Sequence, residues 1–253
     1  MSDRLPTLFL GHGSPENALA NNTYTRALSA LADDLPRPKA VLVVSAHYMA
    51  LGCAVTGGEH PPTIHDFYQY PKSLYEVRYS APGEPALARE VADLLDGELD
   101  ARWGLDHACW TPMIHMWPDA DVPTVVLSLD INLPASTHFG IGRKLSDLPD
   151  RGVLVMGSGN IVHNMRALDW KLKGGFEWAA AFDTAVAERL AVRDDEALID
   201  YASLPGGTEA VPSPGHYLPL LYAAAAAGPD VPATSTYEGL QMGALSMRCV
   251  RFG

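Results

Sequence analysis

Four short aliphatic runs recur along the chain, each ending on Gly, Ser, His or Asp: PTLFLGH from Pro6, AVLVVSAH from Ala40, TVVLSLD from Thr124 and GVLVMGSG from Gly152. Apolar residues at successive positions, with no polar alternation, predict strands buried on both faces. Between them the period changes. Leu28, Leu31 and Leu35 fall on one helical face, as do Leu87, Val91, Leu94 and Leu95, and later Phe182, Val186 and Leu190. HYLPLLYAAAAAG, from His216, predicts a further helix stopped by Gly228 and Pro229. Strand and helix alternate, so the expected fold class is α/β. We expect one domain over residues 1–253, with a largely parallel central sheet, helices on both faces and a ligand crevice at the strands' carboxyl ends.

Two segments break the alternation. Residues 57–85 are rich in Pro, Gly, His and Tyr and predict a long ordered loop with a short helix, and long loops in compact domains are usually functional. YASLPGGTEAVPSP, from Tyr201, is a second such loop and leads into His216. Leu245–Phe252 alternates imperfectly and is expected to supply a closing strand. GSGN, from Gly157, has the look of an anion-cradling turn opening a helix. It lacks the Walker lysine and the third glycine of a dinucleotide fingerprint, so nucleotide binding is not expected.

Charge narrows the partners. The chain of 253 residues carries 18 Lys plus Arg against 30 Asp plus Glu, a formal charge of −12, which disfavours nucleic acid and anionic membrane surfaces. The most apolar stretch, Tyr217–Ala227, is far shorter than the ~20 residues of a bilayer span. Cys53, Cys109 and Cys249 form no CxxC pair and are an odd count, which fits a reducing, cytoplasmic setting and suggests neither a disulfide framework nor a thiolate zinc site. Nine histidines stand against those three cysteines, so metal chemistry in this chain would use imidazole.

His12 in LGHGSP and His47 in VSAHY each follow a predicted strand, where a parallel sheet would bring both to one crevice. Imidazole nitrogen suits Zn²⁺ and Fe²⁺, and an open site needs about three protein ligands. For the third, His163 (GSGNIVHN), His216 (PSPGHYLPLLY), His107 (LDHACW) and His65 (TIHDFY) all qualify, and spacing does not choose among them. Any one histidine taken alone is more often a packed, hydrogen-bonded side chain than a ligand. Gly11 and Gly13 beside His12 favour close approach to a ligand there. His60 beside Pro61-Pro62 predicts a surface loop, His138 a helix start, and His115 among Met113, Met116 and Trp117 a packed side chain. None of Ser14, Ser45 or Ser158 lies in G-x-S-x-G, which argues against an α/β-hydrolase.

Taken in order, LGHGSP, VVSAH, TIHDFYQYP with LYEVRYSAPG, GLDHACWTP, GSGNIVHNMR and PSPGHYLPLLYAAAAAG resemble the class III extradiol ring-cleavage dioxygenases, in the 4,5-DOPA extradiol dioxygenase-like branch. The resemblance spans nearly the whole chain. It implies His12, His47 and His216 as ligands of one Zn²⁺ or Fe²⁺ per chain, His163 as acid–base catalyst and a possible fourth ligand, and His107 and His65 as residues close to substrate. The implied reactants are dioxygen and a DOPA- or caffeate-like catechol, and the implied product is a muconic semialdehyde. Where the protocatechuate-type enzymes have a glutamate ligand this chain has His216, so the facial triad of two histidines and one carboxylate is not matched. Three other readings compete. A non-redox zinc protein on the same fold ranks first among them. A tetrapyrrole chelatase, suggested by GHGS, leaves TIHDFY and GSGNIVHN without a purpose. A zinc hydrolase would have to take Glu16 or Asp66 as its base.

Overall fold

The computed structural model describes residues 4–253. Ten strands are β1 (Thr7–Gly11), β2 (Ala40–Met49), β3 (Ala54–Thr56), β4 (Glu98–Asp100), β5 (Thr124–Leu129), β6 (Val153–Gly159), β7 (Ala233–Tyr237), β8 (Leu240–Gln241), β9 (Leu245–Ser246) and β10 (Cys249–Phe252). The helices are α1 (Thr23–Asp33), α2 (Lys72–Tyr75), α3 (Pro85–Leu94), α4 (His107–Met116), α5 (Ala135–Lys144), α6 (Glu177–Ala191), α7 (Asp195–Ile199), α8 (Gly207–Ala210) and α9 (Leu218–Ala227).

The four predicted strands form the centre of an eight-stranded sheet of order β4-β3-β5-β2-β6-β1-β10-β7. Neighbours from β5 to β1 run parallel, while β3 against β5, β10 against β1 and β7 against β10 run antiparallel, so the sheet is mixed at its flanks. Successive residues of a strand face opposite sides. Val41 and Val43 therefore join Leu8, Leu10 and Met156 under α1 and α4, whereas Leu42 and Val44 join Phe9, Val125 and Val155 under α3, α6 and α9. Helix α9 is buried along its whole length, packed between the sheet and α5, as its uniformly apolar sequence requires.

Several local expectations change. Leu94 is 40% exposed because α3 ends there, and Leu95 takes the buried position. The closing segment divides into β9, paired with β8, and β10, paired with β1 and β7. GSGN opens no helix, since Gly157–Gly159 end strand β6 and the residues after them are irregular. A Cβ on Gly157 would sit 2.2 Å from the Pro219 carbonyl oxygen, and one on Gly159 would sit 2.0 Å from that of His216. The glycines admit the start of α9 against the strand, and no anion is needed to explain them.

A buried ion pair fixes the arm that carries β8 and β9. Arg248 donates to Asp183 at 2.6 and 3.1 Å and to Glu238 at 2.7 Å, and Asp183 also accepts from the Ser246 hydroxyl at 2.6 Å. Arg248→Ala would leave the Asp183 carboxylate buried without its cation. A loss of roughly 3–5 kcal/mol is expected, read from the shift of the urea unfolding midpoint. A loss under about 1 kcal/mol, the range of exposed pairs, would show that Asp183 is rehydrated.

Candidate metal centre

The strand ends deliver the first two histidines. His12 follows β1, with its backbone N–H on the Gly159 carbonyl at 3.0 Å, and the residue is 1% exposed. His47 lies within β2 rather than beyond it, at the irregular end where the register against β5 shifts. His216 closes the 3₁₀ turn Pro214–His216 before α9, and its carbonyl accepts the Asn160 N–H at 2.9 Å. Side-chain nitrogens of His12, His47 and His216 all lie within 4.8 Å of one another.

Hydrogen bonds fix two of the ring tautomers. The Ser158 hydroxyl donates to the Ala108 carbonyl at 2.6 Å, so toward His12 Nδ1, at 3.1 Å, it acts as acceptor. His12 Nδ1 therefore carries the proton and Nε2 keeps a lone pair. His47 Nδ1 donates to Asp66 Oδ2 at 2.9 Å, which bares His47 Nε2, and that atom faces His216 Nε2 at 3.1 Å. Two nitrogens bound to one ion at about 2.0–2.1 Å in tetrahedral geometry lie about 3.3 Å apart. The donor set fits a divalent cation.

Asp66 holds more than one partner. Its Oδ2 also accepts from His107 Nδ1 at 2.9 Å, and its Oδ1 accepts the His107 backbone N–H at 2.9 Å. One carboxylate thus orients His47 and His107 together, as an outer carboxylate commonly does for a metal-bound histidine. Burial pushes the Asp66 carboxyl up, but the hydrogen bonds from His107 and His47 outweigh it and hold it below the ordinary carboxylate range. His47, Asp66 and His107 form a second donor group that shares His47 with the first.

His163 stacks on the His216 ring, with centroids 3.5 Å apart and planes within 4°. It reaches this place in extended conformation, bridged to Leu245, with its backbone N–H on the Ala210 carbonyl at 2.9 Å. Burial, then the nearby His47 and His107, lower His163 to about 4. His107 is likewise lowered to about 4 by burial and His47, against the pull of Asp66. Both rings are neutral at pH 7, and burial makes each a weaker base than free imidazole, so that a proton passes to them from a group whose own pKa is also lowered.

A cavity of about 330 Å³ opens over this cluster, within the size range of small-ligand sites. His12, His47, His107, His163 and His216 all line it. His65 does not. Its Nε2 faces the Val77 carbonyl at 3.1 Å, and its ring packs against Phe67, Tyr75 and Trp110, where it braces the loop that carries Asp66. Of the remaining histidines, His138 bridges Tyr222 and the Asp130 carbonyl, and His115 faces the Asn17 carbonyl at 2.7 Å.

A buried histidine centre at the carboxyl ends of a mostly parallel sheet, open to a cavity on one side, defines an α/β metalloenzyme site. The chain belongs to the LigB family, the catalytic subunit of aromatic ring-opening dioxygenase, whose model matches residues 6–247. It is 46% identical over 260 residues to the 4,5-DOPA dioxygenase extradiol of Escherichia coli K12, covering 100% of this chain and 96% of that protein. It is 34% identical to the Beta vulgaris protein of the same name, covering 97% of this chain and 96% of that one. An uncharacterized protein from Escherichia coli K12, solved by crystallography, superposes with a TM-score of 0.87 at 42% identity, over 99% of this chain and 100% of the other. The enzyme is therefore an extradiol ring-cleaving dioxygenase, a metal-dependent class whose reactants are a catechol-type compound and dioxygen. No helix among the described residues is long and apolar enough to cross a membrane.

Proposed function

We propose that the chain acts as one catalytic unit in the cytoplasm, cleaving a side-chain-bearing catechol at the ring bond beside its diol to give a muconic semialdehyde. Both atoms of one dioxygen enter the product, so no external reductant is consumed. His12, His47 and His216 would hold one divalent ion, either Fe²⁺ or Zn²⁺. The bound ion lowers the pKa of a coordinated hydroxyl, and as Fe²⁺ it also offers the electron that dioxygen chemistry requires.

The chain's own residues manage position and protons. His163, neutral and stacked on a proposed ligand, accepts the proton of a catechol hydroxyl, whose ordinary pKa is about 10, and returns it as the ring opens. His107, its Nδ1 donating to Asp66, presents the Nε2 lone pair as acceptor to a substrate hydroxyl. Contact between His65 and substrate drops out of the proposal, because that ring is turned to Val77. The observation that carries the reading is the convergence of three imidazoles with a fourth, His163, stacked beside them in the cavity lining.

His163→Ala is expected to keep the fold and the metal content and to lower kcat by at least the ~10² of a lost acid–base group. Stopped-flow turnover and elemental analysis of the same preparation measure both. Wild-type turnover would remove His163 from the chemistry, whereas loss of metal alongside activity would make it a fourth ligand.

A further inference from the structure

We infer that Pro112 is a positioning residue for the metal centre: by freeing the Ala108 carbonyl of α4 it fixes the His12 ring proton on Nδ1 and leaves the Nε2 lone pair bare, an inference that rests on the reading of His12 as a ligand. Pro112 lies in the interior of α4 and is buried there. A proline at such a position weakens a helix, so its presence calls for a reason.

The reason lies one turn back. In a helix the Ala108 carbonyl would accept the N–H of residue 112, and proline has none. The pyrrolidine ring also crowds the carbonyl four residues before it and tilts that group off the helix axis. Ala108 is fully buried, where a carbonyl without a donor is costly. Ser158 supplies the donor. It shares a face of β6 with Met156, the face that α4 covers, and its hydroxyl reaches the Ala108 carbonyl at 2.6 Å. A hydroxyl has one proton to give. With that proton on the carbonyl, Ser158 meets His12 Nδ1, at 3.1 Å, as an acceptor, and the ring must bring the hydrogen. Donation therefore runs from His12 to Ser158 to Ala108, and reversing it would strand the buried carbonyl.

Helix α4 is held too firmly to absorb a change by moving. Asp106 caps it by accepting the Cys109 N–H at 3.2 Å, and the same carboxylate accepts the Ser45 hydroxyl of β2 at 2.8 Å. The next residue, His107, donates its backbone N–H to Asp66 at 2.9 Å. Successive residues of the first turn thus serve both sides of the centre, His107 through Asp66 and Ala108 through Ser158.

The test follows the proton on the full-length chain, stripped of metal by a chelator and shown to be folded by circular dichroism. Long-range ¹H–¹⁵N spectra of ¹⁵N-histidine protein at about pH 8, well above the ordinary imidazole pKa, separate the two tautomers, and the His12 signals are those missing from His12→Ala. Wild type should show Nδ1–H. Pro112→Ala restores an N–H that draws the Ala108 carbonyl back to the helix axis, which frees the Ser158 proton for His12 Nδ1. Nε2–H signals should appear, and zinc affinity, read by competition with a chelator, should fall roughly 10–100-fold, as for other partners behind a ligand. Ser158→Ala should lower affinity by a similar factor, and adding Pro112→Ala to it should cost nothing more, because the two act through one path. Pro112→Val, with the same N–H and more of the lost volume, repeats the measurement if the alanine variant unfolds. A His12 ring that keeps Nδ1–H in the folded variant, or losses that multiply in the double variant, would overturn the inference. A shifted tautomer with unchanged zinc affinity would uphold the role of Pro112 and remove His12 from the ligand set.

Discussion

Replacing His12 with alanine is expected to give a folded protein that no longer retains stoichiometric metal through gel filtration. His12 is one of three proposed ligands, and its ring is held by Ser158 with Nε2 directed at the other two. Removing a partner in the outer layer of a metal site costs 10–100-fold in affinity, so losing a ligand should cost more than that. His107→Ala provides the contrast. Two donor groups share His47, namely His12 with His216 and Asp66 with His107. If the ion uses the first, His107→Ala keeps it and His12→Ala loses it. The reverse pattern, measured by elemental analysis on protein shown to be folded by circular dichroism, would move the metal to Asp66 and His107.

The geometry explains which parts of the molecule were legible in the sequence. Strands β1, β2, β5 and β6 are buried on both faces and read as unbroken aliphatic runs. Strands β3, β4 and β8 have only two or three residues each, and β7 is an edge strand of intermediate burial, so none carries a recognisable period. His12 and His47 were legible because a strand end has a direction fixed by the sheet. Asp66 was not legible as an orienting group. It follows His65 in TIHDFY, and the folded chain turns Asp66 toward His47 and His107 while His65 turns to the Val77 carbonyl, a choice between two adjacent polar residues that their sequence does not make. The role of Gly157–Gly159 was hidden for a related reason. Their neighbours are the carbonyls of Pro219 and His216, far along the chain, and a glycine kept for close approach has the same sequence as one kept for an anion.

Which metal supports turnover follows from the same donors. An all-imidazole set contributes no negative charge of its own and suits Zn²⁺ as well as Fe²⁺, and affinity in nitrogen sites generally rises from Fe²⁺ to Zn²⁺. Protein purified in air should therefore carry zinc, which has no accessible redox change, and should bind a catechol without consuming oxygen. Exchange for Fe²⁺ under anaerobic conditions, followed by admission of air, should raise oxygen uptake from background to a rate stoichiometric with a yellow ring-opened product. Activity in the zinc form equal to that of the iron form, with iron excluded by elemental analysis, would overturn the redox assignment. Absence of oxygen uptake in both forms with every catechol offered would put the non-redox zinc reading in its place. The contrast between the two ions is a sharp test because His12, His47 and His216 present the same three nitrogens to either. A difference in turnover then belongs to the electron the ion can release, and the fold and cavity are common to both measurements.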